Sequence, residues 1–216
     1  MLKNMIFDMG GVLIPFNPPM FFRKFGITDE KEIELLDRII VHSDEWHLTD
    51  QGYMTEEEMA DRLLPLIPEH LQPAAKMMIF GWGPAEPTPG MEEFIQECKD
   101  LGLSVYVLSN ASYRIDEYWD TLPGHSLFDG RVVSAWVHLL KPNPEIYEHL
   151  LLKYSLKPEE CLFTDDSMKN VIGAENVGIH AIQFTGDIEA VRRERDRLMN
   201  GRERTKNGKQ RCGKIA

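Results

Sequence analysis

The chain has 216 residues, 43% hydrophobic and 27% charged, enough for one full core plus a modest inserted domain and not a disordered composition. The formal charge of −11 is uneven: ten of the 24 Lys and Arg but only three of the 35 acids lie from Val191 onward, leaving residues 1–190 near −18. A body of that sign excludes nucleic acid as a partner, and no run approaches the roughly 18 apolar residues of a membrane span.

Cys98, Cys161 and Cys212 are odd in number, widely spaced and without a CxxC pair. That argues against a disulfide framework and a structural zinc site and suits a reducing compartment. The apolar start, Met1 to Phe16, is interrupted by Asp8 and lacks a small-residue cleavage site, so it does not read as a signal peptide. The expectation is a soluble cytoplasmic protein, monomer or homodimer.

Along the chain, Leu2 to Phe7 forms an apolar run that stops at Asp8, just ahead of Gly10 and Gly11. From about Pro15 to Pro89 only helix signals follow. Asp29-x-x-Glu32 precedes Ile33, Leu36 and Ile40, and the capping box Thr55-x-x-Glu58 precedes Met59, Leu63 and Leu66. The stretch Pro84 to Gly90 reads as a return linker. Met91, Phe94, Ile95, Cys98 and Leu101 then have helical spacing, with Gly102 where a C-terminal cap belongs.

Leu103 to Leu108 is a second β-like run, ending in Ser109-Asn110, and Arg131 to Ala135 is a third. Lys141-Pro142 opens a helix carrying Ile146, Tyr147, Leu150, Leu151 and Tyr154, with Asn143 as N-cap and Pro144 first in the helix. Cys161 to Thr164 runs into Asp165-Asp166, and Ile179 to Phe184 is the fifth run. Continuous apolar runs of this length read as strands buried on both faces. Their alternation with helices predicts an α/β fold: a doubly wound, Rossmann-like parallel sheet with an inserted α-helical cap. The expected division is a catalytic core from residues 1–14 and 90–190, a helical cap from 15–89, and a basic C-terminal helix and tail from 191–216. From Gly201 the tail has almost no apolar residues and reads as a solvated, partly disordered end.

In an open parallel sheet, ligands bind beyond the carboxyl ends of the strands. Here those ends offer Asp8, Ser109-Asn110 and Asp165-Asp166, with Lys141 opening a nearby helix. Hard oxygen ligands suit Mg²⁺, the metal neutralises a phosphoryl group, and one carboxylate is left to attack. Taken singly each has a plainer reading: a turn residue, a helix cap, a solvated charge, a capping pair. Their joint occurrence at successive strand ends points to a site.

On these four motifs, in this order and spacing, the sequence resembles the haloacid dehalogenase-like hydrolase superfamily over roughly residues 1–190. The branch is the one with a helical cap after the first strand. The α-glucose-1-phosphate phosphatase type and the N-terminal domain of soluble epoxide hydrolase look most similar. The resemblance implies that Asp8 is a nucleophile forming an aspartyl-phosphate, and that its second oxygen and the Gly10 carbonyl ligate Mg²⁺. It implies phosphate-oxygen donors in Ser109 and the Asn110 amide, and a charge-neutralising role for Lys141. Asp166 looks like a direct metal ligand, Asp165 a ligand directly or through water. Asn170 stands where many relatives carry an acid and is given a supporting place behind the ligands.

One departure matters. Phosphatases of this family usually carry a second Asp two residues after the nucleophile, where this chain has Gly10. That group protonates the leaving oxygen and then activates water, and losing such a group costs about 10²–10⁴-fold. Three readings stay open. The first is a phosphatase whose leaving group needs little protonation, as in a sugar 1-phosphate, or whose cap supplies the group, with His47 and Asp50 as candidates. The second is a metal-independent 2-haloacid dehalogenase, since halide needs no proton. Such relatives replace the acidic pair that Asp165 and Asp166 retain here, and two adjacent carboxylates without a cation would repel. The third is a non-catalytic module binding a phosphate ligand.

The expected partner is a small phosphorylated metabolite, such as a sugar phosphate, under a cap that excludes water. Trp46 is the candidate substrate contact, by stacking, unless it only staples cap helices. Gly52 permits close backbone approach, and Met77, Met78, Ile79 and Phe80 read as core.

Overall fold

The computed structural model describes residues 1–81 and 86–201. Five strands form one parallel sheet: β1 Asn4–Phe7, β2 Ser104–Ser109, β3 Gly130–Val133, β4 Cys161–Asp165 and β5 His180–Gln183. Their order is β3-β2-β1-β4-β5, with Phe7 in register with Val107 on one side and Thr164 on the other. The chain winds outward from β1 to β3, then returns to β4 on the other side of β1. The switch point therefore lies between β1 and β4, whose ends carry Asp8 and Asp165.

The central strands are buried almost throughout because helices cover both faces. Met5 and Phe7 point into a cluster with Met91, Phe94, Ile95 and Cys98 of α6 (Met91–Asp100) and Val191 of the helix that closes the described chain. Ile6, one residue out of phase, points into the other with Ile146, Tyr147 and Leu150. Helices α7 (Ile115–Tyr118), α8 (Ser134–Val137), α9 (Pro144–Tyr154), α10 (Met168–Asn176) and α11 (Ile188–Met199) complete the core. Asn143 occupies the N-cap position of α9 without a side-chain capping bond. The third β-like run ends earlier than its apolar pattern predicts. Ser134 and Ala135 belong to the single turn α8, because Ser134 Oγ is drawn into bonds with backbone rather than into the ladder.

Between β1 and α6 the described residues form no strand. Helices α1 (Pro18–Lys24), α2 (Glu30–Leu36), α3 (Asp44–Asp50), α4 (Glu56–Leu63) and α5 (Gln72–Gly81) pack around their own apolar cluster, which includes Phe22, Leu36, Ile40, Met59 and Met78. The capping box opens α4 with both of its hydrogen bonds formed. At α2, Asp29 caps the Lys31 amide, whereas Glu32 turns to His70 at 2.8 Å. The two crossings between core and helical insert are tied where Thr88 N–H donates to Leu13 O (2.9 Å). Residues 82–85, the last two of which begin the expected return linker, and the tail from 202 lie outside the described residues.

The start of the basic C-terminal segment is not a solvated arm. Arg192 and Arg195 of α11 reach Glu97 on α6 and lie over the Phe94 ring, 5.5 and 5.2 Å from its centroid. No helix among the described residues is long and apolar enough to cross a membrane.

Candidate active site

Asp8 follows β1 directly, and its backbone N–H still bonds Thr164 O (2.9 Å), so strand pairing fixes the position of its side chain. The chain then turns back on itself, with Leu13 and Ile14 N–H both returning to Met9 O. Gly11 has a φ of 78°, and a Cβ there would overlap the Asp166 carboxylate. Only glycine lets the loop after β1 lie against the end of β4.

Lys141 is the centre of the site. Its side chain is buried, and Nζ lies 2.7 Å from Asp8 Oδ1, 2.7 Å from Asp165 Oδ2 and 3.0 Å from Leu108 O. Burial favours the neutral amine, but Asp165 and Asp8 together outweigh it and hold the ammonium above its usual value. Burial also pushes Asp8 up, to about 7, against the downward pull of Lys141. A divalent cation beside Asp8 would act in the same direction as Lys141.

Asp165 is fully buried and its oxygens are committed. Besides Lys141 they accept Ser167 N–H (2.9 Å) and the Asn170 side-chain amide (3.0 and 3.1 Å). Asp166 is exposed at the rim, and burial followed by repulsion from Asp165 raises its pKa. One carboxylate oxygen from each of Asp8, Asp165 and Asp166 lies within 4.8 Å of the others. An all-oxygen, carboxylate-rich set fits a hard divalent cation such as Mg²⁺ and not zinc or copper.

The residues after β2 divide their work differently from the sequence expectation. The Asn110 side chain clasps the Lys141 peptide, accepting its N–H (2.9 Å) and donating to its carbonyl (3.0 Å). Only its backbone amide remains for an anion. Ser109 is buried at the strand end, and the cavity lining begins at Asn110.

That cavity, about 210 Å³, lies between sheet end and helical insert. Asp8, Gly10, Lys141, Asp166 and Asn170 line its floor; Phe16, Trp46, Asp50, Met59, Met78 and Ile79 line the opposite wall. Trp46 lines the cavity and also makes contacts within the insert. It packs on Phe16 (centroids 6.3 Å apart), and its indole N–H lies beside Asp50, four residues on along α3, favouring the charged carboxylate. Met78 and Ile79 are at once insert core and cavity wall. His47 points away, exposed, with Nδ1 2.7 Å from Ser43 O.

Sequence reasoning missed the contacts that seat the insert. Ser134 Oγ donates to Asp50 O (2.5 Å) and accepts Ala111 N–H (2.9 Å). Ser112 Oγ donates to Glu56 (2.5 Å), and Tyr53 stacks on His138 at 4.8 Å. Gly52, with φ 74°, lies so close to Ala135 O that any Cβ would collide. The glycine was visible in sequence; its partner, over 80 residues away, was not.

A parallel sheet with an inserted helical cap and acids, lysine and a glycine turn at its switch point defines a capped α/β hydrolase. The haloacid dehalogenase-like hydrolase family model matches residues 2–178, and the chain belongs to that family. It is 30% identical over 194 residues, 86% of this chain and 91% of the other, to the sesquiterpene phosphatase astK of Aspergillus oryzae. A predicted HAD-like family hydrolase from Porphyromonas gingivalis superposes with a TM-score of 0.68 at 27% identity, over 90% of this chain and 98% of that one. A HAD family enzyme from Bacteroides thetaiotaomicron, solved with magnesium and inorganic phosphate, gives a TM-score of 0.64 at 21% identity, over 88% and 99% of the two chains, and shows the shared fold.

Proposed function

We propose that this hydrolase is a Mg²⁺-dependent phosphomonoesterase that cleaves a small organic phosphate through an aspartyl-phosphate on Asp8. The observation that carries the reading is Lys141, 2.7 Å from both Asp8 and Asp165 with Asp166 beside them. This arrangement counters the effect of burial on Asp8, sets its carboxyl at the cavity floor, and supplies positive charge for a phosphoryl group. Asp8, Asp166 and the Gly10 carbonyl would hold the metal, which when bound neutralises phosphoryl oxygens. Asp165, with its oxygens committed to Lys141, Ser167 and Asn170, acts mainly by placing the lysine. The Asn110 amide serves the phosphate, Ser109 supports it from the buried strand end, and Asn170 fixes Asp165 from behind.

The substrate body meets Phe16, Trp46, Met59, Met78 and Ile79. Apart from Asp50, the charged groups of the far wall are engaged: Glu56 by Ser112, Arg114 by Glu117 and Ile79 O. Such a wall favours an apolar-bodied phosphate over a hexose phosphate, whose hydroxyls would go unmatched. The similarity to a sesquiterpene phosphatase supports the same choice.

The test is a panel of prenyl and hexose monophosphates with Mg²⁺ or chelator, beside chloroacetate and an Asp8→Asn control. Phosphate release that needs metal and Asp8, and is faster on prenyl substrates, is expected. Metal-independent chloride release would make the enzyme a dehalogenase, and binding without turnover would make it a binding module.

A further inference from the structure

Gly10 leaves the floor of the cavity without the carboxyl that would serve the leaving group, and the opposite wall carries one. Asp50 ends α3 and lines the same cavity as Asp8. Its main chain is anchored to the catalytic loop. The Ser134 hydroxyl that donates to Asp50 O (2.5 Å) is held by Ala111 N–H (2.9 Å), two residues past the end of β2. The next turn is pressed flush against Ala135 at Gly52, where no side chain fits. This cap carboxyl is therefore positioned relative to the sheet, not merely tethered to a mobile lid.

The Trp46 indole N–H lies beside the Asp50 carboxyl and favours its charged form. The groups around it are His47 on its own helix, Glu56 on α4, Tyr118 on α7 and Lys141 at the floor. Burial dominates, and against the opposing pull of His47 and Trp46 it pushes the carboxyl up to about 7. A carboxyl near neutrality can give up a proton in one step and take one in the next.

We infer that Asp50 is the general acid–base of this enzyme, supplied by the cap in place of the absent acid at position 10. The inference rests on the phosphomonoesterase reading. In the first step an Asp8 oxygen bonds phosphorus, the phosphorus–leaving-oxygen bond breaks, and that oxygen takes its electron pair and the Asp50 proton. In the second, water attacks phosphorus while giving a proton to the Asp50 carboxylate. The Asp8–phosphorus bond breaks, phosphate leaves, and both carboxyls return to their starting states.

Asp50→Asn keeps the shape and the Trp46 contact while removing the proton, which makes it the variant to test. On isopentenyl monophosphate, a poor leaving group, its turnover should fall about 10²–10⁴-fold. On 4-nitrophenyl phosphate, whose phenolate departs unaided, a stoichiometric burst of nitrophenolate should persist and be followed by slow turnover, because only water activation is then impaired. Wild-type turnover of the alkyl ester should decline as pH rises through about 7, where Asp50 loses its proton, and this limb should vanish in the variant. Adding Gly10→Asp should restore alkyl-ester turnover; its Cβ would meet nothing closer than Phe16 Cβ at 3.4 Å. Unchanged alkyl-ester turnover, or equal loss on both esters without a burst, overturns the assignment. Wild-type protein inactive on every phosphoester would instead overturn the phosphomonoesterase reading itself.

Discussion

The Ser134 hydroxyl and the Asp50 carbonyl, 84 residues apart, share a 2.5 Å hydrogen bond that crosses from core to cap. The same hydroxyl accepts the Ala111 amide, so one buried side chain sets the spacing between the loop after β2 and the last turn of α3. Ser134→Ala should leave that buried amide without its partner and cost about 1–3 kcal/mol in urea unfolding. Turnover of alkyl esters should fall more than that of 4-nitrophenyl phosphate, because the displaced group is the one that protonates. Equal losses on both esters would assign Ser134 a purely structural role.

Lys141 holds two carboxylates together, and removing it exposes their repulsion. Lys141→Met should abolish phosphate release and destabilise the fold by about 3–5 kcal/mol, since a buried charge set loses its counterion. Without the ammonium, burial acts on Asp8 unopposed and raises its pKa further in the folded state. A group whose folded pKa is raised binds protons preferentially in the native state, so the variant should be most stable in acid and weaken as pH rises. Urea midpoints across pH 4–8 read this directly.

Mg²⁺ should stabilise the wild-type protein, since a ligand that binds only the folded chain raises its melting temperature as its concentration exceeds Kd. Asp166→Asn should remove most of that shift while leaving the metal-free melting temperature equal or slightly higher, since the repulsion from Asp165 is relieved. A shift that survives the substitution would move the metal elsewhere. Thermal scans with and without Mg²⁺ separate this question from catalysis.

Met78 is fully buried in the cap and also faces the cavity. Met78→Ala should enlarge the apolar wall at a cost of about 2–5 kcal/mol in stability. The specificity constant should shift toward longer prenyl monophosphates relative to shorter ones. No change in chain-length preference would place the substrate body against another part of the wall.

His47, a candidate from sequence alongside Asp50, faces solvent. His47→Gln should therefore change alkyl-ester turnover by no more than about twofold, the scale of an ordinary surface substitution. A loss comparable to that of Asp50→Asn would transfer the proton-carrying role to the imidazole.

Much of the fold was legible because the signals are local. The run Met5 to Phe7 is apolar since both faces of β1 are covered, and the Thr55 capping box forms within one turn of helix. Asp8, Lys141 and the Asp165-Asp166 pair stood out because reactive groups follow directly on strand ends or open a helix. Ser134 was less legible: its apolar neighbours carry a strand pattern, while its hydroxyl answers backbone groups that only tertiary packing brings near. The clasp of the Asn110 side chain on the Lys141 peptide was likewise not legible, because its partner lies 31 residues on.

What the sequence alone determined was the sheet, the helical insert and the set of acids around one lysine, because strand and helix periods and strand-end residues are written consecutively. What only the tertiary structure decided was which acid faces the empty place at Gly10. That depends on a cap residue's burial and on hydrogen bonds between residues 84 positions apart, neither of which is a property of any local stretch of chain.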